Sequence, residues 1–304
     1  MPCYYPIRMK QLTKVNSNGN RSIVSWTHHL PGKSIDLPCG RCVGCRLERS
    51  RQWAVRCVHE MSLWRNNSFI TLTYADDALT FGGAQHGILN RRDLTLFWKR
   101  LRKSGVKFRY FACGEYGDES NRPHYHAIIF GYDFPDKTYH HTEDNYDLYT
   151  SATLDRLWGH GSCLIGDATF ESASYVARYV MKKRLGKTSE EYEKEGITPE
   201  FVVMSRNPGI GGEWYDKYES DVFPRDNISV RGHDSVPPKY YTRRFEAASL
   251  DLKNPNVHPM DFQAMKERRK ERAQANWEQN EPKQLKVREH VKFASIRKIS
   301  RKKV

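Results

Sequence analysis

Two strand-forming runs around a turn-rich segment constrain this chain more than any other feature. Phe108 to Glu115 is aromatic and apolar, Gly117 to Pro123 collects Gly, Asp, Asn and Pro, and His124 to Gly131 resumes an apolar run. The pattern predicts an antiparallel hairpin. With the loop over residues 116–123, Glu115 falls opposite His124, and cross-strand partners point to the same face. Residues i and i+2 of a strand also share a face, so His126 joins them while Tyr125 points away. Two imidazoles and a carboxylate on a rigid sheet leave open positions on a divalent ion. Asp118 and Glu119 in the loop are rival ligands, and Glu115 can also be read as a solvated hairpin end.

The flanking segments extend the pattern. Ser68 to Tyr74 is β-branched and aromatic and predicts a strand, and Leu94 to Leu101 a short amphipathic helix. Beyond a polar loop, Asp133 to Asn145, come a helix near Thr153 to Trp158, a strand near Ser162 to Phe170 and a helix from Glu171 to Lys183. The order β-α-β-β-α-β-α predicts an α+β core over residues 67–190, a ferredoxin-like antiparallel sheet with flanking helices. Residues 1–66 read as a Cys-rich segment ending in a helical pattern from Leu47 to Trp64. Residues 191–260 read as an extension of the core. There Gly209 to Gly212 is a turn without the Lys-Ser/Thr of a phosphate-binding loop, so no nucleotide cofactor is expected. Pro237-Pro238 before Lys239-Tyr240-Tyr241 suggests an extended segment crossing the surface. Residues 261–304 form a basic tail, with Pro282 dividing two helices.

The helix Ser174 to Lys183 carries a second constellation. Tyr175 and Tyr179 are four apart and so lie on one helical face, and Arg178 and Lys182 each follow a tyrosine by three. A free phenol, with a pKa near ~10, is a weak nucleophile at neutral pH, and adjacent cations make it a better one. The plain alternative is a helix that packs two aromatics and leaves its basic residues in water.

Composition narrows the partner. Lys and Arg number 50 against 36 Asp and Glu, a net charge of +14, which favours a polyanion. The tail alone carries 14 basic and 6 acidic residues. Arg268, Arg269, Lys270, Arg301, Lys302 and Lys303 there, with Lys183, are candidate contacts to the phosphates of such a partner. A mean hydropathy of -0.78 and the lack of a long apolar run predict a protein that does not span a membrane and is not exported. Of seven cysteines, Cys3, Cys39, Cys42 and Cys45 could supply the four thiolates of a structural Zn2+. Cys57 and His59 are alternative fourth ligands, the C-x-x-C-x-x-C spacing also suits iron–sulfur ligation, and free thiols in a Gly-rich turn are the simplest reading.

A two-histidine motif on the central sheet followed by a two-tyrosine helix resembles the HUH endonucleases. Phe69-Ile-Thr-Leu-Thr-Tyr74, Cys113-Gly-Glu-Tyr-Gly117, Arg122-Pro-His-Tyr-His126, Tyr175-Val-Ala-Arg-Tyr179 and Ser205-Arg-Asn-Pro-Gly-Ile-Gly211, with the cysteine cluster, are similar to the replication initiation proteins of gokushoviruses. The similarity runs over residues 3–245, and departs in the bulky Tyr125 between the histidines. It implies that His124, His126 and Glu115 hold Mg2+ or Mn2+. It also implies that Tyr175 and Tyr179, helped by Arg178 and Lys182, nick single-stranded origin DNA through a 5′-phosphotyrosine intermediate. Host polymerase and helicase are the implied partners, and the cytoplasm of the bacterial host the implied location. An HUH transposase or relaxase shares this chemistry, and a non-catalytic ferredoxin-like module would bind nucleic acid without it.

Overall fold

The centre of the fold is the strand with the two histidines. In the computed structural model, which describes residues 3–15, 21–81, 87–117, 120–179, 192, 194, 196–223, 225–250, 259–275 and 281–301, the chain divides into two units. One is Ser50–Arg268; the other combines Met1–Arg49 with Arg269–Val304.

The Ser50–Arg268 unit is built on a seven-stranded antiparallel sheet. Its strands are β4 (Asn67–Thr73), β5 (Arg109–Tyr116), β6 (Pro123–Phe130), β7 (Thr138–Glu143), β8 (Tyr146–Thr150), β9 (Cys163–Asp167) and β10 (Phe201–Met204), in the order β10-β5-β6-β4-β9-β8-β7. β6 pairs with β5 on one side and β4 on the other without a register shift, so Glu115 faces His124 and Thr71 faces His126. The hairpin expected from the sequence is present in the expected register.

Helices cover both faces, which explains why β6 is apolar on both. On one face Ala112, Tyr125, Ala127 and Ile129 pack against Leu94, Phe97, Trp98 and Leu101 of α2 (Arg91–Lys103) and Trp158 of α3 (Ala152–Trp158). On the other, Phe111, Cys113, Ile128 and Phe130 meet Ala54 and Cys57 of α1 (Val43–Met61) and Ala173, Val176 and Ala177 of α4 (Phe170–Tyr179). Fully burying a side chain such as Phe130 contributes about 1.5–3 kcal/mol. The starts of α2 and α3 are fixed by side chains: Asn90 accepts from the Arg92 amide at 2.9 Å, and Ser151 from the Leu154 amide at 3.1 Å.

Three expectations are corrected. The polar loop at Asp133 to Asn145 instead contains β7, paired with β8 around Asp144 and Asn145, both at positive φ as a tight two-residue turn requires. β7 is exposed along its whole length, so it lacks the alternation that marks a half-buried strand. Lys239-Tyr240-Tyr241 opens a helix, α6 (Lys239–Leu250), rather than an extended crossing, and Tyr241 is fully buried. With α5 (Gly212–Val222) and α7 (Pro259–Ala275), α6 forms a third apolar cluster holding Tyr215, Phe223, Phe245 and Met265.

The third correction concerns the N-terminal segment, which is not only helical. β1 (Ile7–Val15), β2 (Arg21–Ser25) and β3 (Gly32–Leu37) form a sheet in the order β2-β1-β3. The tail helices are α7 and α8 (Pro282–Arg301), with Pro282 opening the second as the fixed φ of proline favours. Within the terminal unit α8 buries Leu285 and Glu289, and the Tyr5 hydroxyl donates to the Glu289 carboxylate. No helix among the described residues is long and apolar enough to cross a membrane.

Candidate metal centre and tyrosine helix

The pleat of the hairpin sets the site. His124, His126, Ile128 and Phe130 alternate with Tyr125, Ala127 and Ile129, so the histidines extend the face covered by α1 and α4. Glu115 reaches this face from β5, and its Oε1 lies 2.9 Å from the Nε2 of His124 and 2.9 Å from the Nε2 of His126. Glu115 and His126 are buried and His124 is half-buried. One ligand atom from each lies within 4.8 Å of the others.

Backbone and side-chain partners orient the rings. The Nδ1 of His124 donates to the carbonyl of Arg122 at 3.0 Å. A carbonyl only accepts, so the neutral imidazole directs its Nε2 lone pair at the carboxylate. A lone pair and an anionic oxygen at 2.9 Å repel unless a proton or a metal ion stands between them. The donor set fits a divalent ion, and hydrogen bonds to the far ring nitrogens are the usual support of such ligands. His126 Nδ1 lies 3.0 Å from the Thr71 hydroxyl on β4. Burial pushes the Glu115 carboxyl up, but hydrogen bonds and positive charge from the protonated forms of His124 and His126 outweigh it and hold the group below its ordinary value.

Tyr125 has a structural task on the opposite face. Its hydroxyl meets that of Tyr74 at 2.7 Å, accepts from the Asn90 amide and donates to the Asn90 carbonyl, both at 2.9 Å. It therefore ties β6 to the start of α2. Burial pushes its phenol up to about 12, so it stays protonated at neutral pH. Opposite it on β5 stands Gly114, where a side chain would come within 2.9 Å of the Phe201 ring and 3.1 Å of Tyr125. Arg122 secures the entrance of β6, bonding the Tyr74 carbonyl and, at 2.6 Å, Asp76.

α4 brings Tyr175 to the metal face. Its ring stands perpendicular to His126 at a centroid distance of 5.0 Å and perpendicular to Phe69 at 6.3 Å, while Phe69 stacks parallel to His126 at 5.7 Å. Arg178 and Tyr179 lie on α4, but their side chains fall outside the described residues, as do Lys182, Lys183, Asp118 and Glu119. On α7, Arg268 and Lys270 are exposed and Arg269 is half-buried; the Arg301 side chain, Lys302 and Lys303 fall outside the description.

Cys3, Cys39, Cys42 and Cys45 come together, with all four sulfurs within 4.8 Å of one another. Neither alternative ligand belongs to this group. Cys57 is buried in the cluster of Phe111 and Ile128, and His59 stacks on Trp214 at 3.5 Å and bonds the Tyr241 hydroxyl at 2.9 Å. Phe69, Thr71, Gly114 and Arg122 belong to the motifs of the sequence analysis, which gives none of them a role of its own. Thr71 had a signal: it alternates with buried Ile70 and Leu72 in a strand beside β6.

Comparison with known proteins places the chain in a family. The family described as replication-associated protein ORF2/G2P matches residues 67–184. The chain is 33% identical to the replication-associated protein ORF2 of Spiroplasma virus 4 over 266 residues, which cover 81% of each chain. It is 35% identical to the replication-associated protein VP4 of Bdellovibrio phage phiMH2K over 219 residues, 68% of this chain and 67% of that protein. With the replication-associated protein ORF4 of Chlamydia phage 1 it shares 30% over 224 residues, 70% of this chain and 54% of the other. No solved structure matches. The chain belongs to the gokushovirus-type family of phage replication-associated proteins.

Proposed function

We propose that the protein initiates rolling-circle replication of a single-stranded DNA phage genome as an HUH-type endonuclease and strand transferase. The observation that carries this reading is the Tyr175 ring standing edge-on to His126, on the face that also holds His124 and Glu115. The strand order supports it: β9-β4-β6-β5 at the middle of the sheet, with α2 and α3 on one face, is in keeping with a ferredoxin-like core.

In this reading His124, His126 and Glu115 hold Mg2+ or Mn2+, which when bound neutralises charge on the scissile phosphate and orients it for in-line displacement. The chain's own groups do the rest. The Arg122 carbonyl and the Thr71 hydroxyl hold the two imidazoles at fixed angles, so the site does not reorganise when DNA arrives. Tyr175 or Tyr179 forms a bond from its phenol oxygen to phosphorus while the bond to the 3′ oxygen breaks. The phenol proton is released, and the 3′ oxygen departs as a hydroxyl that host polymerase extends while host helicase opens the duplex. One phosphodiester replaces another, so the link stores what the closing step needs and no nucleotide cofactor takes part. The second tyrosine cuts the regenerated origin, and the freed 3′ hydroxyl attacks the first link to close the circle. Arg178 and Lys182 favour the attacking phenolate. Lys183 and the basic residues Arg268, Arg269, Lys270, Arg301, Lys302 and Lys303 hold backbone phosphates. The reaction takes place in the host cytoplasm.

Incubating the protein with origin single strand and Mn2+ tests this. A covalent protein–DNA adduct is expected, with Tyr175→Phe and Tyr179→Phe each retaining some nicking and the double variant none. Nicking by the double variant sinks the tyrosine assignment. Binding without any adduct in the wild type would favour a non-catalytic binding module.

A further inference from the structure

The geometry assigns a structural zinc site, separate from the histidine centre, to Cys3, Cys39, Cys42 and Cys45. The four sulfurs lie within 4.8 Å of one another, with Cys39 and Cys45 at 4.0 Å. Four thiolates around one ion at the usual Zn–S distance of about 2.3 Å would stand about 3.8 Å apart. A disulfide needs about 2.0 Å, and all four cysteines are free thiols. In an iron–sulfur cluster the four cysteine sulfurs are divided among two or more irons, so they cannot all stand as close together as four that share one ion.

The backbone around the sulfurs is arranged for negative charge. The Cys39 amide donates to the Cys3 sulfur at 3.2 Å, and the amides of Arg41 and Cys42 donate to the Cys39 sulfur at 3.4 and 3.3 Å. The Cys42 sulfur accepts from the amides of Tyr4 and Cys45 at 3.4 and 3.5 Å. Five backbone donors on three sulfurs suit thiolates, which accept hydrogen bonds better than thiols do. Gly40, at φ +73°, lets the chain turn so that both Cys39 and Cys42 face inward.

The register of the small sheet brings the ligands together. Ile7 on β1 pairs with Leu37 on β3, so Cys3 and Cys39 leave the sheet at the same end, and the next turn delivers Cys42 and Cys45. One ion there ties three points of the chain. The unit has need of it: among the described residues, its apolar cluster consists of these cysteines with Tyr4 and Val43. A closed set of four thiolates is the usual ligand set of a structural zinc.

The test uses the full chain purified without added metal. We expect one zinc per chain by elemental analysis, released by about four equivalents of an organomercurial, as one metal on four thiolates requires. Exchange into Co2+ gives intense visible bands of tetrahedral coordination and thiolate-to-metal charge transfer in the near ultraviolet. Cys42→Ser and Cys45→Ser lose the metal at least tenfold, whereas the His124→Ala, His126→Ala double variant keeps it. Folded wild-type protein with less than a tenth of an equivalent of zinc, or holding iron instead, overturns the assignment, as does cobalt with octahedral spectra. The cobalt measurement uses wild-type protein, so misfolding of a cysteine variant does not blunt it. Wild-type protein that nicks but holds no zinc as purified would leave the proposed function standing while refuting this site.

Discussion

Ser50–Arg268 buries Phe97, Phe111, Tyr125 and Phe130 completely, whereas among the described residues the apolar cluster of Met1–Arg49 with Arg269–Val304 is mostly cysteine. The two candidate metal sites differ in the same way. Glu115, His124 and His126 project from strands that two apolar clusters already hold in place, so the ion they suit is an addition to a finished fold. That leaves its coordination open to a phosphate. The four cysteines enclose their position with protein ligands alone and belong to the only apolar cluster of their unit among the described residues, so the ion there completes a fold that is otherwise thin. An open ligand set on a rigid sheet suits chemistry, and a closed one on a small sheet suits stability.

Removing the zinc is the harshest way to break this comparison. Zinc binding contributes about 10–16 kcal/mol in isolated zinc-finger peptides at neutral pH, comparable to the whole stability of a domain. Treatment with an organomercurial should therefore strip amide-exchange protection from β1, β2 and β3 while β4, β5 and β6 keep theirs. Equal loss in both units, or in neither, would show that the two units do not differ in this way.

Acid should act on the large unit through a residue that its third cluster encloses. Burial lowers the His59 imidazole to about 4 from its ordinary 6.5, between Trp214 and the Tyr241 hydroxyl. Between these values the unfolded chain binds a proton that the folded chain does not, so stability falls as pH falls from 6.5 toward 4. At about 1.4 kcal/mol per unit, the full loss is on the order of 3 kcal/mol. Urea unfolding at several pH values checks this. His59→Gln should flatten the profile in that window, and an unchanged slope would remove His59 as its source.

The parts of the molecule that were legible in the sequence are those where both periodicity and loop length were informative. The turn between Glu115 and His124 sets one register, and that register puts Glu115, His124 and His126 on one face. β7 was illegible because it buries nothing and so has no alternation to read. The sheet of β1, β2 and β3 was illegible for a related reason: its described residues are exposed or half-buried, with no buried face to mark them as strands. α6 was misread because Pro237-Pro238 dominates its entry, although Tyr241 and Phe245, four apart and both buried, carry the helical spacing. Proline before a helix marks its start as readily as it marks an extended chain.

Thr71→Val gives the smallest and most local test, because it changes one atom of the large unit's site and leaves the small unit alone. Valine keeps the β-branched shape that β4 favours and removes the hydroxyl 3.0 Å from His126 Nδ1. The imidazole then loses the partner that fixes its rotation, although Glu115, His124 and His126 all remain. Loss of such outer hydrogen bonds weakens metal binding by about 10–100-fold. The Mn2+ concentration that half-saturates adduct formation should rise by that factor, while the rate at saturating Mn2+ changes little and the zinc content stays the same. Thr71→Ser, which restores a hydroxyl, should recover most of the affinity. If valine leaves the Mn2+ midpoint where it was, Thr71 is only a strand residue, and the orientation of His126 comes from its stacking on Phe69 and the edge of Tyr175.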